Sequence, residues 1–330
     1  MGSIYGIGNP LMDIIVSGSH EQVGQFGVTA GSMNLVEYER QQYVLRCCPL
    51  LSRSPGGSCA NTMRGISWLS SAGGYPVTVS YTGAVGEDEE GHRFSEILEE
   101  EGVEPRLAYK SAATGSSVIV VTPDYERTMF THLGACRELG PKDIHSEHAR
   151  TRSVLHVTGY MWDTPHQERA AKQNIEEARD AGVTVSFDIA DPFVVHRYAA
   201  DLSRWLPGKV DLLFANHEEL QALTGTRDEP RSIARAGLHF APTVIMKVGA
   251  DGCFIATGED VVHLPAEQAS PADTTGAGDS FAGGYLYGLV SGLAPRDCGR
   301  LANRLAAAIV EVEGCSYAKI DRSAVLAGAL

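Results

Sequence analysis

The chain contains the stretch Asp273-Thr274-Thr275-Gly276-Ala277-Gly278-Asp279, followed directly by Ser280-Phe281-Ala282-Gly283-Gly284-Tyr285. The Gly-Ala-Gly turn is small enough for a phosphate group to approach the backbone. The residues after it have the pattern of a helix, whose unpaired N–H groups and positive dipole end would face that turn. Asp279 stands at the start of this helix, where its carboxylate could take a proton from an attacking hydroxyl. The stretch therefore predicts a site of phosphoryl transfer.

Two plainer interpretations of Asp279 compete with this one. An aspartate at a helix start can simply be its N-cap, behind a glycine-rich connection. A cap alone does not need two flanking glycines and two threonines, however. A protein that only binds a sugar or nucleoside is the other alternative, but it would have no use for a base beside an anion site. Phosphoryl transfer is therefore favoured.

Composition restricts the partners and the compartment of this protein. Its 330 residues carry 27 lysines and arginines against 41 aspartates and glutamates, a net charge of −14. A nucleic acid or an anionic membrane would require a broad basic face, so neither is expected as a partner. No apolar run approaches the ~18 residues of a membrane span, and no signal peptide is visible. The seven cysteines form no C-x-x-C pair, which favours free thiols in a cytoplasmic protein.

Short apolar runs alternate with amphipathic stretches along most of the chain. The predicted strands are 4–8, 77–82, 154–157, 183–189, 212–215, 244–248 and 254–257, the last two forming a hairpin around Asp251-Gly252. The predicted helices are 58–72, 87–101, 165–181, 216 to about 225, 279–291 and 296–312. This alternation is typical of an α/β domain whose mostly parallel sheet is covered by helices on both faces.

Four further motifs accompany the first stretch: Gly8-Asn9-Pro10-Leu11-Met12-Asp13, Gly56-Gly57-Ser58-Cys59-Ala60-Asn61, Asn216-His217-Glu218-Glu219 and Lys247-Val248-Gly249-Ala250-Asp251-Gly252. In this order, the five motifs resemble those of the ribokinase-like (PfkB) carbohydrate and nucleoside kinases, over roughly residues 4 to 314. The resemblance implies a three-layer α/β/α fold with a mostly parallel central sheet. It also implies ATP as phosphoryl donor, Mg²⁺ as its ion, and a monovalent cation such as K⁺ as an additional candidate.

Two segments, 16–37 and 106–133, break the rhythm because they have strand character without intervening helices. In the resembled family, insertions of this kind build a small β-strand lid over the substrate, so we predict a lid here. Ordinary surface hairpins are the alternative. No linker or repeat divides the chain, so residues 1–330 are expected to form one kinase domain with this lid. Lids of this family also pair subunits, which leaves a monomer and a lid-mediated homodimer open.

The first two motifs are candidates for binding the acceptor. Asn9 and Asp13 follow a strand end, and a carboxylate can accept hydrogen bonds from both hydroxyls of a vicinal diol. The Gly56-Gly57-Ser58 turn lets the backbone approach a ligand, and Asn61 can bind its hydroxyls. A loop cap at Asp13 and an N-cap at Ser58 are the structural alternatives. The resemblance assigns Asp13, Gly57 and Asn61 to a sugar pocket.

The remaining motifs are candidates for the nucleotide side. Asn216 and Glu219 lie one helical turn apart, and the resemblance assigns them to Mg²⁺ through water, although a capping box would explain them equally. Asn303 resembles residues that flank adenine, but an alanine-rich packing face is the alternative. The implied ATP contacts are Asn216, Lys247, Gly249, Thr274, Gly276, Gly278 and Asn303, the last with Ala306 and Ala307.

The resemblance also assigns the catalytic groups. Asp279 is the implied base, and the amides of Gly276, Ala277 and Gly278 form the implied anion hole. Arg127 is predicted to contact a phosphate or the acceptor, because a guanidinium group binds oxyanions bidentately. A solvated loop arginine is the competing interpretation.

The expected acceptor is the primary 5′-hydroxyl of adenosine, which would yield AMP. The Gly8–Asp13 motif looks more like that of adenosine kinases than that of sugar-only members of the family. Leu35, Tyr160 or Met161, and Phe193 could hold a purine between them, although each could equally serve core or lid packing. Because the sequence departs from eukaryotic adenosine kinases at Cys59-Ala60, a ribokinase- or fructokinase-like sugar kinase remains the alternative.

Three other enzyme classes lack their motifs in this chain. A P-loop would require Ser or Thr after Gly208-Lys209, but Val210 follows. A dinucleotide fold would require a third glycine where Leu11 stands, and a hydrolase elbow would require glycine at Ala282.

Overall fold

The computed structural model describes residues 2–71, 75–124 and 126–327. Strands and helices alternate along these residues, as the apolar rhythm of the sequence predicts. The strands are β1 (Gly2–Ile7), β2 (Leu11–Ser17), β3 (Met33–Leu35), β4 (Leu50–Gly56), β5 (Val77–Thr82), β6 (Ala84–Gly86), β7 (Glu104–Pro105), β8 (Ala108–Lys110), β9 (Ser116–Val121), β10 (Arg127–His132), β11 (Val154–Thr158), β12 (Thr184–Asp188), β13 (Leu212–Asn216), β14 (Thr243–Lys247), β15 (Cys253–Thr257) and β16 (Asp260–Leu264). The helices are α1 (His20–Gln25), α2 (Tyr38–Cys47), α3 (Ser58–Ser70), α4 (Glu89–Glu100), α5 (Ser146–Thr151), α6 (Pro165–Asp180), α7 (Pro192–Trp205), α8 (His217–Thr224), α9 (Pro230–Ala236), α10 (Ala277–Val290), α11 (Pro295–Val310) and α12 (Arg322–Leu326).

The main sheet has nine strands in the order β16-β15-β14-β13-β12-β11-β1-β5-β7. From β14 to β7 every neighbouring pair is parallel. The predicted hairpin corresponds to the antiparallel pair β14–β15, and β16, which was not predicted, pairs antiparallel with β15 at the edge. Alternate residues of β13 enter opposite cores: Leu213 packs into one apolar cluster and Phe214 into the other. Burial on both faces explains why these strands are continuously apolar. The predicted three-layer α/β/α fold is confirmed.

A second sheet of five strands, in the order β3-β10-β9-β2-β4, lies outside the main sheet. Along its strands, too, successive side chains face opposite sides of the sheet. Val118 and Phe130 pack into a small core with residues of α1 and α2, whereas Ser117, Met129 and Thr131 line a cavity on the opposite face. The sheet therefore has one face that is covered by its own helices and one face that is turned to a cavity.

The bounds of this second sheet differ from the segments 16–37 and 106–133. It also includes β4 and most of β2, and Tyr125 of the second segment lies outside the described residues. The expectation that segment 16–37 lacks helices is wrong, since α1 lies within it. Its capping box joins Ser19 and Gln22, a local signal that outweighs the strand character of the surrounding residues.

Most other predicted elements agree with the structure to within a few residues. Helix 58–72 corresponds to α3, which ends at Ser70, and the predicted end at Ala72 lies outside the described residues. Helix 279–291 begins two residues earlier, at Ala277. Its N-cap is Gly276, so Asp279 is not the cap of α10 but lies within its first turn. No helix in the described ranges is long and apolar enough to cross a membrane.

Helix α10 packs unusually closely against α3 and α11 because its contact positions are glycines. A Cβ atom at Gly284 would lie 2.8 Å from Cα of Ala302 in α11, and one at Gly283 would lie 3.0 Å from the carbonyl oxygen of Thr62 in α3. Tyr317 reinforces the contact, since its hydroxyl donates to the carbonyl oxygen of Asn61 and lies 2.9 Å from Ser280 Oγ. This packing brings the N-terminal turns of α3 and α10 together.

We predict that Gly284→Ala will destabilise the fold. The added methyl group would overlap the backbone of α11, and overpacking of this kind costs about 1–3 kcal/mol. The shift of the thermal unfolding midpoint measures the effect. Gly24→Ala is the matched control, because a Cβ at this exposed position of α1 meets no atom within 4 Å. Equal midpoints for both variants would show that α10 does not depend on this close approach.

Candidate active site

Two cavities open at the carboxyl ends of the main-sheet strands and share a wall. The first cavity has a volume of ≈ 220 Å³, and Thr275, Gly276 and Asp279 lie in its lining. The second cavity has a volume of ≈ 780 Å³, and Thr274, Ala277 and Gly278 lie in its lining. The 273–279 stretch therefore lies between the two cavities and presents three residues to each of them.

Asp279 is held by the first turn of α3. Its Oδ1 atom accepts a hydrogen bond of 2.6 Å from Ser58 Oγ, and its Oδ2 atom accepts one of 2.9 Å from Asn61 Nδ2. The side-chain amide of Asn61 has a fixed orientation, because its oxygen accepts from the buried guanidinium of Arg64 at 3.0 Å. Burial raises the pKa of Asp279, although the two hydrogen bonds act in the opposite direction. A raised pKa makes this carboxylate a stronger base once it is ionised.

The turn before Asp279 carries free backbone donors. Gly276 adopts a left-handed conformation with φ 76°, and a Cβ there would lie 2.6 Å from Cys315 Sγ. Within the described residues, the amides of Gly276, Gly278 and Asp279 have no acceptor. The amide of Ala277 donates to the carbonyl oxygen of Thr274 at 3.2 Å, which corrects its predicted part in an anion hole. These free amides lie at the N-terminus of the buried helix α10, which is a favourable place for an anion.

A buried lysine lies beside this turn. Lys247 Nζ contacts both carboxylate oxygens of Asp188, at 2.9 and 3.2 Å, and a Cβ at Gly278 would lie 3.4 Å from the same nitrogen. Burial lowers the pKa of Lys247, but Asp188 and Glu219 together raise it above its usual value. A permanent positive charge is therefore fixed next to the free amides. The role of Asp188 was missed at the sequence level, where the only signal is an acidic residue at a strand end.

The predicted acceptor residues Asn9, Asp13, Gly57, Ser58 and Asn61 all line the first cavity. Asp13 accepts no hydrogen bond from any described residue, so its oxygens are available to a ligand. Its pKa is raised to about 7, mainly by burial and with a smaller contribution from the charge of Asp279, while Arg64 acts in the opposite direction.

Gly56 and Gln167 do not line the first cavity, but they support Asp13 and Asn9, which do. Gly56 does not line the cavity, but a Cβ there would lie 2.4 Å from Asp13 Oδ2, so glycine leaves room for this carboxylate. Gln167 Nε2 donates to Asn9 Oδ1 at 2.7 Å, which leaves the amide nitrogen of Asn9 free to donate. Gln167 was not identified from the sequence, because it lies 158 residues from its partner.

The first cavity also has an extended apolar wall. Leu35, Tyr160 and Phe193 lie in it as predicted, but Met161 is fully buried in the main core and does not reach the cavity, which corrects the prediction for that residue. Sequence reasoning missed several further members of this wall. They are Leu11, Met33, Met129 and Leu133 around the second sheet, with Val194 and Tyr198 from α7.

Arg127 has a different position from the predicted one. Its guanidinium pairs with the buried Asp273 at 2.8 Å and donates to Thr275 Oγ1 at 3.0 Å. It lines neither cavity, and it is not a solvated loop residue either. In this structure Arg127 ties β10 of the second sheet to the 273–279 stretch.

The second cavity contains most of the predicted nucleotide contacts. Lys247, Gly249, Thr274, Gly278 and Asn303 lie in its lining, together with Ala306 and Ala307. Gly276, which was predicted on this side, lines the first cavity instead. Asn303 also donates to the carbonyl oxygen of Pro265 at 2.9 Å, which fixes the loop over that wall.

The Asn216–Glu219 pair lines neither cavity and forms a capping box. Asn216 Nδ2 donates to Glu219 Oε1 at 2.7 Å, its backbone amide donates to Oε2, and its own oxygen accepts from the amide of Glu219. Burial raises the pKa of Glu219 to about 7, against the effect of nearby Lys247. Among the described residues there is no group of three His, Cys, Asp or Glu side chains that could hold a metal ion. The pair therefore fits Mg²⁺ only through water.

Comparisons with known proteins identify the family. The model of the pfkB family carbohydrate kinases matches residues 25–322. A probable sugar kinase from Rhizobium etli has a solved structure with 30% identity and a TM-score of 0.90, and the match covers 100% of this chain and 99% of that one. An adenosine kinase from Sinorhizobium meliloti has 30% identity and a TM-score of 0.86, with 95% of each chain covered. A fructokinase from Klebsiella pneumoniae is 31% identical over 267 residues, 78% of this chain and 84% of its own length.

The two solved structures cover 95% and 100% of this chain, and the family model covers most of it. The chain therefore belongs to the pfkB family of carbohydrate kinases and is a phosphotransferase with an alcohol group as acceptor.

Proposed function

We propose that this protein transfers the γ-phosphoryl group of ATP to the 5′-hydroxyl of a nucleoside, with adenosine as the preferred acceptor. The observation that carries the proposal is the position of Asp279 on the shared wall. Its carboxylate belongs to the first cavity, while free amides of the same helix turn lie between the two cavities. A base on one side of an anion-binding turn suits an acceptor and a phosphoryl donor that bind on opposite sides.

The first cavity suits a nucleoside because it has a polar region and an apolar wall. Asp13 can accept from the two ribose hydroxyls, and Asn9 can donate from its free amide nitrogen. The aromatic and aliphatic wall offers flat surfaces to a base, which a free sugar would leave uncovered. The larger second cavity suits the larger substrate, the nucleoside triphosphate.

The proposed mechanism uses charges that are already in place. Asp279 takes the proton of the 5′-hydroxyl as the hydroxyl oxygen attacks the γ-phosphorus of ATP in line. The bond between that phosphorus and the β–γ bridging oxygen breaks, and ADP leaves with the bonding electrons. The free amides of Gly276 and Gly278 donate to the oxygens of the transferred group, and the Lys247 ammonium balances their charge. Mg²⁺ bound to the nucleotide would neutralise further phosphate charge, with Asn216 and Glu219 holding its water molecules. The requirement for a monovalent cation, the cytoplasmic location and the pairing of subunits through the lid stay predictions.

We predict that Asp279→Asn will fold but lose about 10²–10⁴-fold in kcat, the usual contribution of general base catalysis. An asparagine keeps the size of the side chain and can still bond to Ser58, but it cannot take the proton. Steady-state ADP release measures the effect. Asp260→Asn, at an exposed position of β16, removes the same charge and should leave kcat unchanged. Normal turnover by Asp279→Asn would overturn the assignment of the base.

We predict that kcat/KM for the acceptor will rise with pH and reach its plateau above about pH 7. Asp13, whose pKa burial raises to about 7, is protonated below that value and then loses an acceptor for the ribose hydroxyls. Protonation of Asp279 acts in the same direction, since a neutral carboxyl cannot serve as a base. The pH dependence of kcat/KM from pH 5.5 to 8.5 tests this for the wild type and for Asp13→Asn. The variant should be weaker at every pH and lose the step near pH 7, and a flat wild-type profile would contradict the proposal.

We predict that adenosine will be used about 10- to 100-fold more efficiently than ribose or fructose. A base that covers ~100 Å² of apolar wall gains about 2.5 kcal/mol at ~25 cal/mol per Å². ADP release with a panel of nucleosides and free sugars gives the ratio of kcat/KM values. Phe193→Ala should reduce the rate with adenosine and leave the rate with ribose nearly unchanged. A response to free sugars alone would replace the nucleoside by a sugar as acceptor.

A further inference from the structure

Asp163 is a carboxylate in the apolar part of the first cavity that no step of the proposed mechanism uses. It follows the short 3₁₀ helix Gly159–Trp162 and precedes Thr164, the N-cap of α6. Its side chain is only 11% exposed, and it lines the cavity together with the aromatic rings of Phe193 and Tyr198. A buried charge in such surroundings is costly unless it is balanced.

Two arginines balance this charge without using its hydrogen-bonding capacity. Arg137 Nε lies 3.1 Å from Asp163 Oδ2, and Arg197 Nη1 lies 4.0 Å from Oδ1. Oδ2 is buried beside Arg137, and no described residue donates an aligned hydrogen bond to it. Oδ1 likewise accepts none from the described residues, and Arg197, at 4.0 Å, is too distant to donate one. Oδ1 is therefore the oxygen that remains available to a ligand.

The surroundings of Asp163 differ from those of the polar groups around the proposed base Asp279, which the 5′-hydroxyl of the ribose would approach. Asp279, Ser58 and Asn61 are hydrogen-bonded to one another around the first turn of α3. The charge partners of Asp163 instead come from α7 and from the 3₁₀ helix Gly134–Glu138. If the ribose of a nucleoside lies beside Asp279, its base lies against the apolar wall of the first cavity. There the edge of the base would face Asp163 Oδ1. An ionised carboxylate can only accept, so it favours a donor on that edge.

We infer that Asp163 is a specificity-determining residue that accepts a hydrogen bond from an amino group of the base. The preferred acceptors are then amino-bearing nucleosides, such as adenosine, rather than nucleosides whose base lacks this group. The inference rests on the proposed nucleoside kinase activity and adds the group that discriminates among bases. A ligand without the donor would leave the Asp163 carboxylate unpaired in a closed site, which is the situation in which enzymes reject an analogue most strongly.

The test compares adenosine with purine riboside, which lacks only the 6-amino group. A hydrogen bond to a charged group is worth about 1.5–3 kcal/mol, so wild-type kcat/KM should favour adenosine by about 10- to 150-fold. Asp163→Asn keeps the side-chain volume but turns a donor toward the amino group or leaves a weaker, neutral acceptor. The ratio should then fall to within about threefold of unity, mainly through a loss for adenosine.

Two control variants separate recognition from structural support. Asp201→Asn removes a carboxylate of α7 that pairs with Lys172 and Trp162 and does not line the cavity, so it should leave the ratio unchanged. Arg137→Met removes one ion pair but retains the carboxylate, so the preference for adenosine should persist. A purely structural Asp163 would instead give equal losses for both nucleosides in Asp163→Asn and in Arg137→Met.

The outcomes distinguish a failure of this inference from a failure of the proposed nucleoside kinase activity. A wild-type ratio near unity overturns the inference, even if Asp163→Asn fails to fold. An unchanged ratio in Asp163→Asn, or equal losses for both nucleosides, overturns it as well, and the nucleoside kinase activity then still stands. If the wild type phosphorylates ribose or fructose but neither nucleoside, the nucleoside assignment and the inference fall together.

Discussion

The active site depends on the close contact between α10 and α3. Glycines at positions 283 and 284 let α10 approach its neighbours to distances that any side chain would prevent. Because of this approach, a carboxylate in the first turn of α10 meets two donors in the first turn of α3. Tyr317 then joins the same two turns from below through Asn61 and Ser280. The proposed base Asp279 is thus positioned by packing between regular elements, which is more precise than positioning by a loop.

The second constraint is electrostatic. Asp13, Asp279, Asp188 and Glu219 bring four carboxylates into one region of a chain whose net charge is already −14. Lys247 between Asp188 and Glu219, and Arg64 beside Asn61, offset part of this charge. Burial is the main cause of the raised pKa values of Asp13 and Asp279, and the neighbouring carboxylates act in the same direction. An acidic protein can therefore bind polyphosphate, because the few cations and free amides that face the phosphates are local and fixed.

The sequence was sufficient for the fold class, since the apolar rhythm and five ordered motifs both indicate a three-layer α/β domain. It was also sufficient for residues within a motif, such as Asn61 and Asp279. The sequence did not predict contacts between residues that are distant along the chain. Tyr317 lies 256 residues from Asn61, and no local pattern indicates their hydrogen bond. Helix α7 was overlooked although Asp191-Pro192 is a recognisable helix start. Met161 was misassigned because it lies in a short 3₁₀ helix, in which Tyr160 faces the cavity and Met161 faces the core. The spacing of apolar residues in the sequence does not distinguish these two directions.

The 273–279 stretch does more than bind an anion, because it is also the wall between the two cavities. It contributes three residues to the lining of each cavity, so a phosphoryl donor and an acceptor bound in the two cavities would meet across this turn. Arg127 links the turn to the second sheet through Asp273 and Thr275, and the cavity-facing side of that sheet supplies much of the apolar wall. The sheet that lines the first cavity is thus in direct polar contact with the turn that carries the free amides. Displacing the sheet would remove a partner of Asp273, whose other bonds, to the amides of Thr275 and Gly314, hold the turn in shape. In the proposed mechanism, the cover over the acceptor and the geometry of the turn are for this reason parts of one arrangement, and such a cover would limit the access of water to the phosphoryl group.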